Sequence, residues 1–285
     1  FDLVEGDKPE TPRREAVLAA LNGVMGDRLL ANDNPFAIPM SLRHQGQPLN
    51  PDSIQSLPGA TGKIALMMHG LCMSDLQWSA SHKTPGTDHA QALASRLGYT
   101  PVYLRYNSGK HISQNGRELA DQLEQLLAHW PTAIDDLTVV AHSMGGLVIR
   151  SAIFYTQEQA MAWPSLLKNI IFLGTPHHGA PLEKVGNWVD ALMGSTPFTR
   201  PFNALGKIRS AGITDLRFGN ILDEDWHGTD RFDLGKDQRN AVPLPEKVRC
   251  FCLAATTTAK RGALADRLIG DGLVPVNSAL GSHGE

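Results

Sequence analysis

Cysteine is scarce in this chain of 285 residues, which contains only Cys72, Cys250 and Cys252. An odd number rules out a fully paired disulfide framework. The last two lie two apart in an expected strand, where their sulfurs share a face without disulfide geometry. Nothing therefore requires an oxidising compartment, and the cytoplasm is favoured. Basic charge is not in excess either, since 26 Lys and Arg against 29 Asp and Glu give a formal net charge of -3. Without a positive field to gather phosphates, nucleic acid is not an expected partner. Long apolar runs are missing as well. None approaches the roughly 20 residues that cross a bilayer, and no charged-then-apolar leader opens the chain, so any contact with a lipid surface would be transient. The chain starts at Phe1 rather than at a methionine, which leaves a removed leader open.

What is present is an alternation of short apolar runs with helical patterns, at a length that suits one large α/β domain with an insertion. Lys63 to Met68, Pro101 to Tyr106, Leu137 to Ala141, Lys168 to Gly174 and Lys247 to Ala255 read as strands. Between them, Asp88 to Leu97 reads as a helix closed by Gly98, and Asn115 is predicted to cap a second one with Glu118 three residues on. Leu119, Leu123, Leu126 and Leu127 keep its apolar period until Pro131. A further helix is expected from Gly146 to Tyr155. Such alternation predicts a parallel sheet covered by helices on both faces. Ahead of it, Thr11 is the expected N-cap of an amphipathic helix over 12–31, packed on the domain edge. Phe36 to Leu42 resembles an edge strand, followed by a connector from Pro48 to Gly62; neither stretch offers chemistry.

Residues 182–245 interrupt the alternation. Leu182, Val185, Trp188, Val189, Leu192 and Met193 form an apolar helical face, and Asp223 to Asn240 is polar and acid-rich. The expected organisation is an N-terminal extension over 1–60, a core over 61–181 and 246–285, and a cap or lid over 182–245. That cap would close on an apolar acyl chain, with surface decoration as the alternative.

The chemistry centres on Ala141-His142-Ser143-Met144-Gly145-Gly146. A serine on a sharp strand-to-helix turn has its hydroxyl pushed out of the backbone, and small neighbours let the turn approach adjacent strands. Ala141 stands where the G-x-S-x-G pattern has its first glycine. The loop after the first core strand, His69-Gly70-Leu71, is expected to aim the Leu71 N–H at the oxyanion beside that of Met144. His69 is expected to hold position rather than move a proton, and Cys72 to pack. His142, as the preceding strand residue, should point away from the serine hydroxyl. His177 and His178, in the loop after a later strand, overlook the same crevice and read as loop structure rather than a metal site. Asp271, between two glycines late in the chain, sits where the acid of a Ser, Asp, His order belongs.

These four motifs occur in the order seen in α/β-hydrolase lipases and esterases. The chain resembles the branch that includes bacterial triacylglycerol lipases and GPI inositol-deacylase-like proteins, over residues 63–278. The resemblance implies an α/β-hydrolase fold and a serine hydrolase of carboxylic, lipid or acyl, esters that works through an acyl-enzyme without cofactor or metal. Ser143 would be the nucleophile, Asp271 the acid, Leu71 and Met144 the oxyanion donors, and His69, His142 and Trp188 would border the substrate. In this family the histidine follows the acid after a further helix and strand. Only fourteen residues follow Asp271, with His283 the sole histidine among them. The expectation is that the final strand, the final helix and the true base lie beyond Glu285, with His283 as the alternative. Two rival readings stay open: acyl transfer by the same triad, and a binding module that kept the fold.

Overall fold

The computed structural model describes residues 11–78, 89–180, 209–228, 239–255 and 274–281. Among them a seven-stranded sheet runs in the order β2-β1-β4-β3-β5-β6-β7. Its strands are β1 (Ser41–His44), β2 (Gln47–Pro48), β3 (Lys63–Met68), β4 (Thr100–Arg105), β5 (Asp136–His142), β6 (Leu167–Leu173) and β7 (Arg249–Leu253). The five strands from β4 across to β7 pair in parallel, whereas β1 and β2 join antiparallel. Ile64 to Met68 are buried throughout, as are Leu137 to Ala141. Strands covered on both faces need such continuous apolar runs.

The helices are α1 (Pro12–Ala31), α2 (Pro51–Gln55), α3 (His89–Leu97), α4 (Ile112–Ala128), α5 (Met144–Gln159), α6 (Ala211–Phe218) and α7 (Val276–Leu280). No described helix is long and apolar enough to cross a membrane. α4 and α5 lie side by side over the sheet, and Leu119, Leu123, Leu147, Val148 and Phe172 form one core with the strands. Burying each such side chain stabilises the fold by about 1.5–3 kcal/mol. Thr11 caps α1, its hydroxyl accepting from Arg14 N.

Two expectations are corrected. α4 begins at Ile112, not at Asn115, and the residue at its cap position, His111, makes no side-chain cap bond. The cap comes from far along the chain: Ile112 N donates to Asp215 Oδ2 at 2.9 Å, and His111 Nδ1 donates to the same oxygen at 2.9 Å. Asn115 is buried inside the helix and donates to Asn107 O, while Glu118 pairs with Lys110. A local Asn-x-x-Glu pattern thus loses to a carboxylate on α6 that satisfies the helix's first donors more completely. The second correction concerns Phe36 to Leu42, where pairing starts only at Ser41 and β2 takes the edge. Backbone groups before it are satisfied instead by Asn22 of α1, which donates to Phe36 O and accepts from Ile38 N.

Residues 209–228 fall inside the stretch expected to form a cap, yet they lie against the domain. Ile213, Leu216, Ile221 and Leu222 are buried in the common core. Ser151 Oγ donates to Ile221 O at 2.6 Å, Arg117 pairs with Asp223, and the Trp226 ring stacks on His111 at 3.6 Å. Burial pushes the Asp215 carboxyl up from the usual carboxylate range, and its bonds from His111, Ile112 and Asn220 pull it back. Asp215→Ala leaves Ile112 N–H and the His111 ring without their acceptor, so unfolding free energy in urea should fall by about 3 kcal/mol. Asp215→Asn keeps an acceptor oxygen and should lose less; equal losses would remove the tertiary cap as a source of stability.

Candidate active site

The carboxyl ends of β3, β5 and β6 lie side by side, and the loops that follow them form one rim. At its centre β5 runs directly into α5 through Ser143, whose backbone has φ 52 and ψ -119. For a residue with a Cβ this conformation costs of the order of 1–3 kcal/mol and persists only where the surroundings enforce it. Here Ser143 N donates to Leu173 O of β6 at 2.9 Å, and Gly146 N donates back to Ser143 O at 3.0 Å. The glycines after the serine let neighbouring strand ends close in. A Cβ on Gly145 would sit 2.8 Å from His69 O, and one on Gly146 would sit 2.8 Å from Phe172 Cδ1. Ala141 is fully buried, so the methyl in place of the usual glycine is accommodated.

Ser143 is only 3% exposed, and its Oγ has no hydrogen-bond partner among the described residues. Met144 follows as the first residue of α5, where backbone N–H groups lack helical partners and the helix presents partial positive charge. Against the serine lies the loop after β3: a Cβ on Gly70 would be 3.1 Å from Ser143 Cβ and 3.0 Å from His142 Nδ1. Leu71 is buried next to it, and Cys72 follows in the left-handed region at φ 58. Burial pushes the Cys72 thiol up to about 12, so it packs as a neutral side chain.

His69 is fixed beneath this loop. Its ring stacks on Tyr106 at 4.3 Å, and the Tyr106 hydroxyl donates to His69 O at 2.9 Å. Because Gly70 O can only accept, the 2.9 Å contact from Nδ1 means that the proton sits on Nδ1. Burial holds its pKa down at about 4, aided by the charges of His142 and Arg105, so the ring is neutral near pH 7. His142 ends β5 half-buried, beside Gly70 and not bonded to the serine hydroxyl.

On the other flank, His177 is 6% exposed and contacts Arg150 Nη1 through Nδ1 at 3.2 Å. Since a guanidinium only donates, Nδ1 accepts, and Nε2–H faces Cys252 Sγ at 3.7 Å. Burial, then Arg150 and His178, hold His177 down at about 3. Both of its ring nitrogens are thus engaged, one by α5 and one by β7. The segment after Asp271 docks on this same loop: His177 N donates to Ser278 O, His178 N to Ser278 Oγ, and Ser278 Oγ to Gly179 O. Val274 is buried in the core. Asp271, His283 and Trp188 lie outside the described residues. Tyr106, just past β4, Arg150, inside α5, and Ser278, inside α7, carry no motif, and sequence reasoning did not find them; only Tyr106 had a hint, its place at a strand end.

A mostly parallel sheet with a strained serine at the central strand-to-helix bend defines an α/β-hydrolase fold. The profile of the PGAP1-like alpha/beta domain matches residues 59–239, more than half of the chain, and the protein belongs to that family. No curated protein matches it. Among solved structures, Bacillus licheniformis lipase BlEst2 in propeptide form is 20% identical with a TM-score of 0.47, over 78% of this chain and 43% of that one. The mature form of BlEst2 is 21% identical with a TM-score of 0.40, over 64% and 61%. Aspergillus fumigatus lipase B is 16% identical with a TM-score of 0.34, over 57% and 36%. The chain thus spans less than two thirds of the length of each of these structures.

The buried histidines make stability depend on pH. Unfolded, each titrates near its ordinary 6.5; folded, His69 titrates at about 4 and His177 at about 3. Between those values the unfolded chain binds the extra proton. Their stabilising effect is therefore complete above pH 6.5 and is lost as pH falls through 4 and then 3. Unfolding free energy should drop by roughly 1.4 kcal/mol per pH unit per histidine across that window. His69→Asn retains a donor toward Gly70 O and should remove one histidine's share of the slope; an unchanged slope would take His69 out of the linkage.

Proposed function

We propose that this protein hydrolyses carboxylic esters through an acyl-enzyme on Ser143. One observation carries the reading: a serine held at φ 52, at the head of α5, packed against Gly70, with a hydroxyl that has no partner among the described residues. Ser143 Oγ attacks the ester carbonyl carbon while its proton passes to a histidine, and the oxygen that becomes negative is received by the N–H groups of Leu71 and Met144. The histidine then gives the proton to the leaving alcohol as the C–O bond breaks. Water, activated by the same base, attacks the acyl-serine and releases the acid.

Asp271 is assigned to orient that histidine and to stabilise its charged form. Its assignment is supported by Val274, three residues on and buried, because three residues span at most about 11 Å. The neighbouring Ser278 bonds to the loop after β6, on the rim where Ser143 stands. The base follows Asp271 in the chain, and His283 is its candidate within this sequence. His69 and His177 are poor proton shuttles, since folded values of about 4 and 3 leave too little basicity. We assign Trp188 and its apolar neighbours in the 182–208 stretch to the acyl side of the substrate.

A fluorophosphonate probe should label Ser143 in the native protein, and Ser143→Ala should abolish labelling and lower ester turnover by about 10⁶-fold. Labelling that survives the substitution would remove the nucleophile. Asp271→Asn should lower turnover with KM little changed, and His283→Ala should match the serine variant if His283 is the base. Across esters of rising acyl length, Trp188→Ala should shift the preferred length; a profile that ignores the change would detach the cap from the substrate.

A further inference from the structure

Helix α1 precedes the family domain, which starts at residue 59, yet it packs with bare backbone on the two loops beside the candidate site. A Cβ on Gly23 would come within 3.0 Å of both Cys72 Cα and Cys72 N and would collide with the Cys72 sulfur. Gly26 meets Asn107 in the loop after β4, whose Nδ2 donates to Gly26 O at 3.0 Å. α1 leaves helical geometry at Met25 (φ -145, ψ 24), between these two glycines. At the start of α6, its N-cap Ser210 donates through Oγ to Gly23 O, and Ala211 N donates to Asp27 Oδ2. The helix is thus clamped at the rim from both sides.

Cys72 is where this clamp reaches the chemistry. It is held at φ 58, its N–H donates to Ser108 Oγ at 3.1 Å, and its thiol faces Ala20 O of α1 at 3.9 Å. Leu71 is bracketed: Gly70 on one side lies against Ser143, and Cys72 on the other lies against Gly23. A residue bracketed in this way has little freedom, so the Gly70–Leu71 peptide and the N–H it carries are held between Ser143 and the position that α1 gives Cys72.

We propose that α1 is a positioning element of the active site, in which Gly23, acting through Cys72, aims the Leu71 N–H at the developing oxyanion. The inference rests on the reading that Leu71 is an oxyanion donor. A side chain at position 23 pushes Cys72 outward, and the shift passes through Leu71 to turn the Gly70–Leu71 peptide, which carries the Leu71 N–H. The hydrogen bond from Leu71 N–H that this weakens is strongest in the transition state, so kcat falls while KM holds. Removing the Cys72 side chain takes away the collision with the sulfur and relaxes the positive φ; the backbone contacts that remain, at 3.0 Å, need only a few tenths of an ångström of adjustment, so the second change reverses most of the first.

The test uses the full chain with Gly23→Ala, Cys72→Gly and the pair combined. Three quantities are measured: kcat and KM on a p-nitrophenyl ester, amide hydrogen exchange at Leu71 to Met73, and thermal unfolding. Gly23→Ala should lower kcat about 10²-fold, as expected for a displacement of about 1 Å, and speed exchange at Leu71 to Met73. KM should stay within about twofold, and the double variant should recover both kcat and exchange to within about threefold of native. Native kcat in Gly23→Ala, or a double variant as impaired as the single one, overturns the proposal. A Ser143→Ala control separates the two ideas. Activity that survives it sinks the serine mechanism and the oxyanion role with it, whereas the exchange data still report whether α1 holds the loop.

Discussion

Everything at the rim depends on one strained residue being held where three strand ends converge. Ser143 adopts φ 52 because its N–H is tied to β6, its carbonyl to the first turn of α5, and its neighbours leave no room for relaxation. β3 presses on Gly145 from one side, and Phe172 and Thr175 press on Gly146 from the other. A relaxed bend would break the ladder bond to Leu173 and separate the serine from Gly70. The strain is therefore stored by the packing of the sheet and not by the loop itself.

The same economy governs the polar groups around it. Four polar contacts near the rim run over long sequence distances: Asp215 caps α4, Tyr106 holds the His69 carbonyl, Arg150 holds His177, and Ser278 ties the late chain to the β6 loop. The neutral histidines fit this scheme. Burial keeps His69 and His177 uncharged, so they act as fixed dipoles in a rim whose proposed work needs a separate, more basic imidazole.

Residues 209–228 and α1 show that the working unit extends past the strand-helix alternation. Gly23, Gly26 and Gly212 pack by backbone against the loops after β3 and β4, and Ile213, Leu216 and Ile221 complete the core. Backbone-to-backbone packing of this kind transmits position more faithfully than flexible side chains do, because it leaves few rotamers to absorb a shift.

The amino-acid sequence by itself determined the sheet and the bend. Short continuous apolar runs such as Ile64 to Met68, alternating with helical patterns, read as buried strands, α1 and its Thr11 cap follow from local chemistry, and small residues flanking Ser143 mark the turn. It also pointed to the loops that meet there, since strands pairing in parallel bring their carboxyl ends to one edge. Tertiary structure alone decided the start of α4, the extent of β1 and the burial of residues 211–222. In each case a partner from another element, such as Asp215 or Asn22, outweighed the local signal. A residue's own neighbours set its backbone preference, but which distant donor or acceptor reaches it is settled only when the chain has packed.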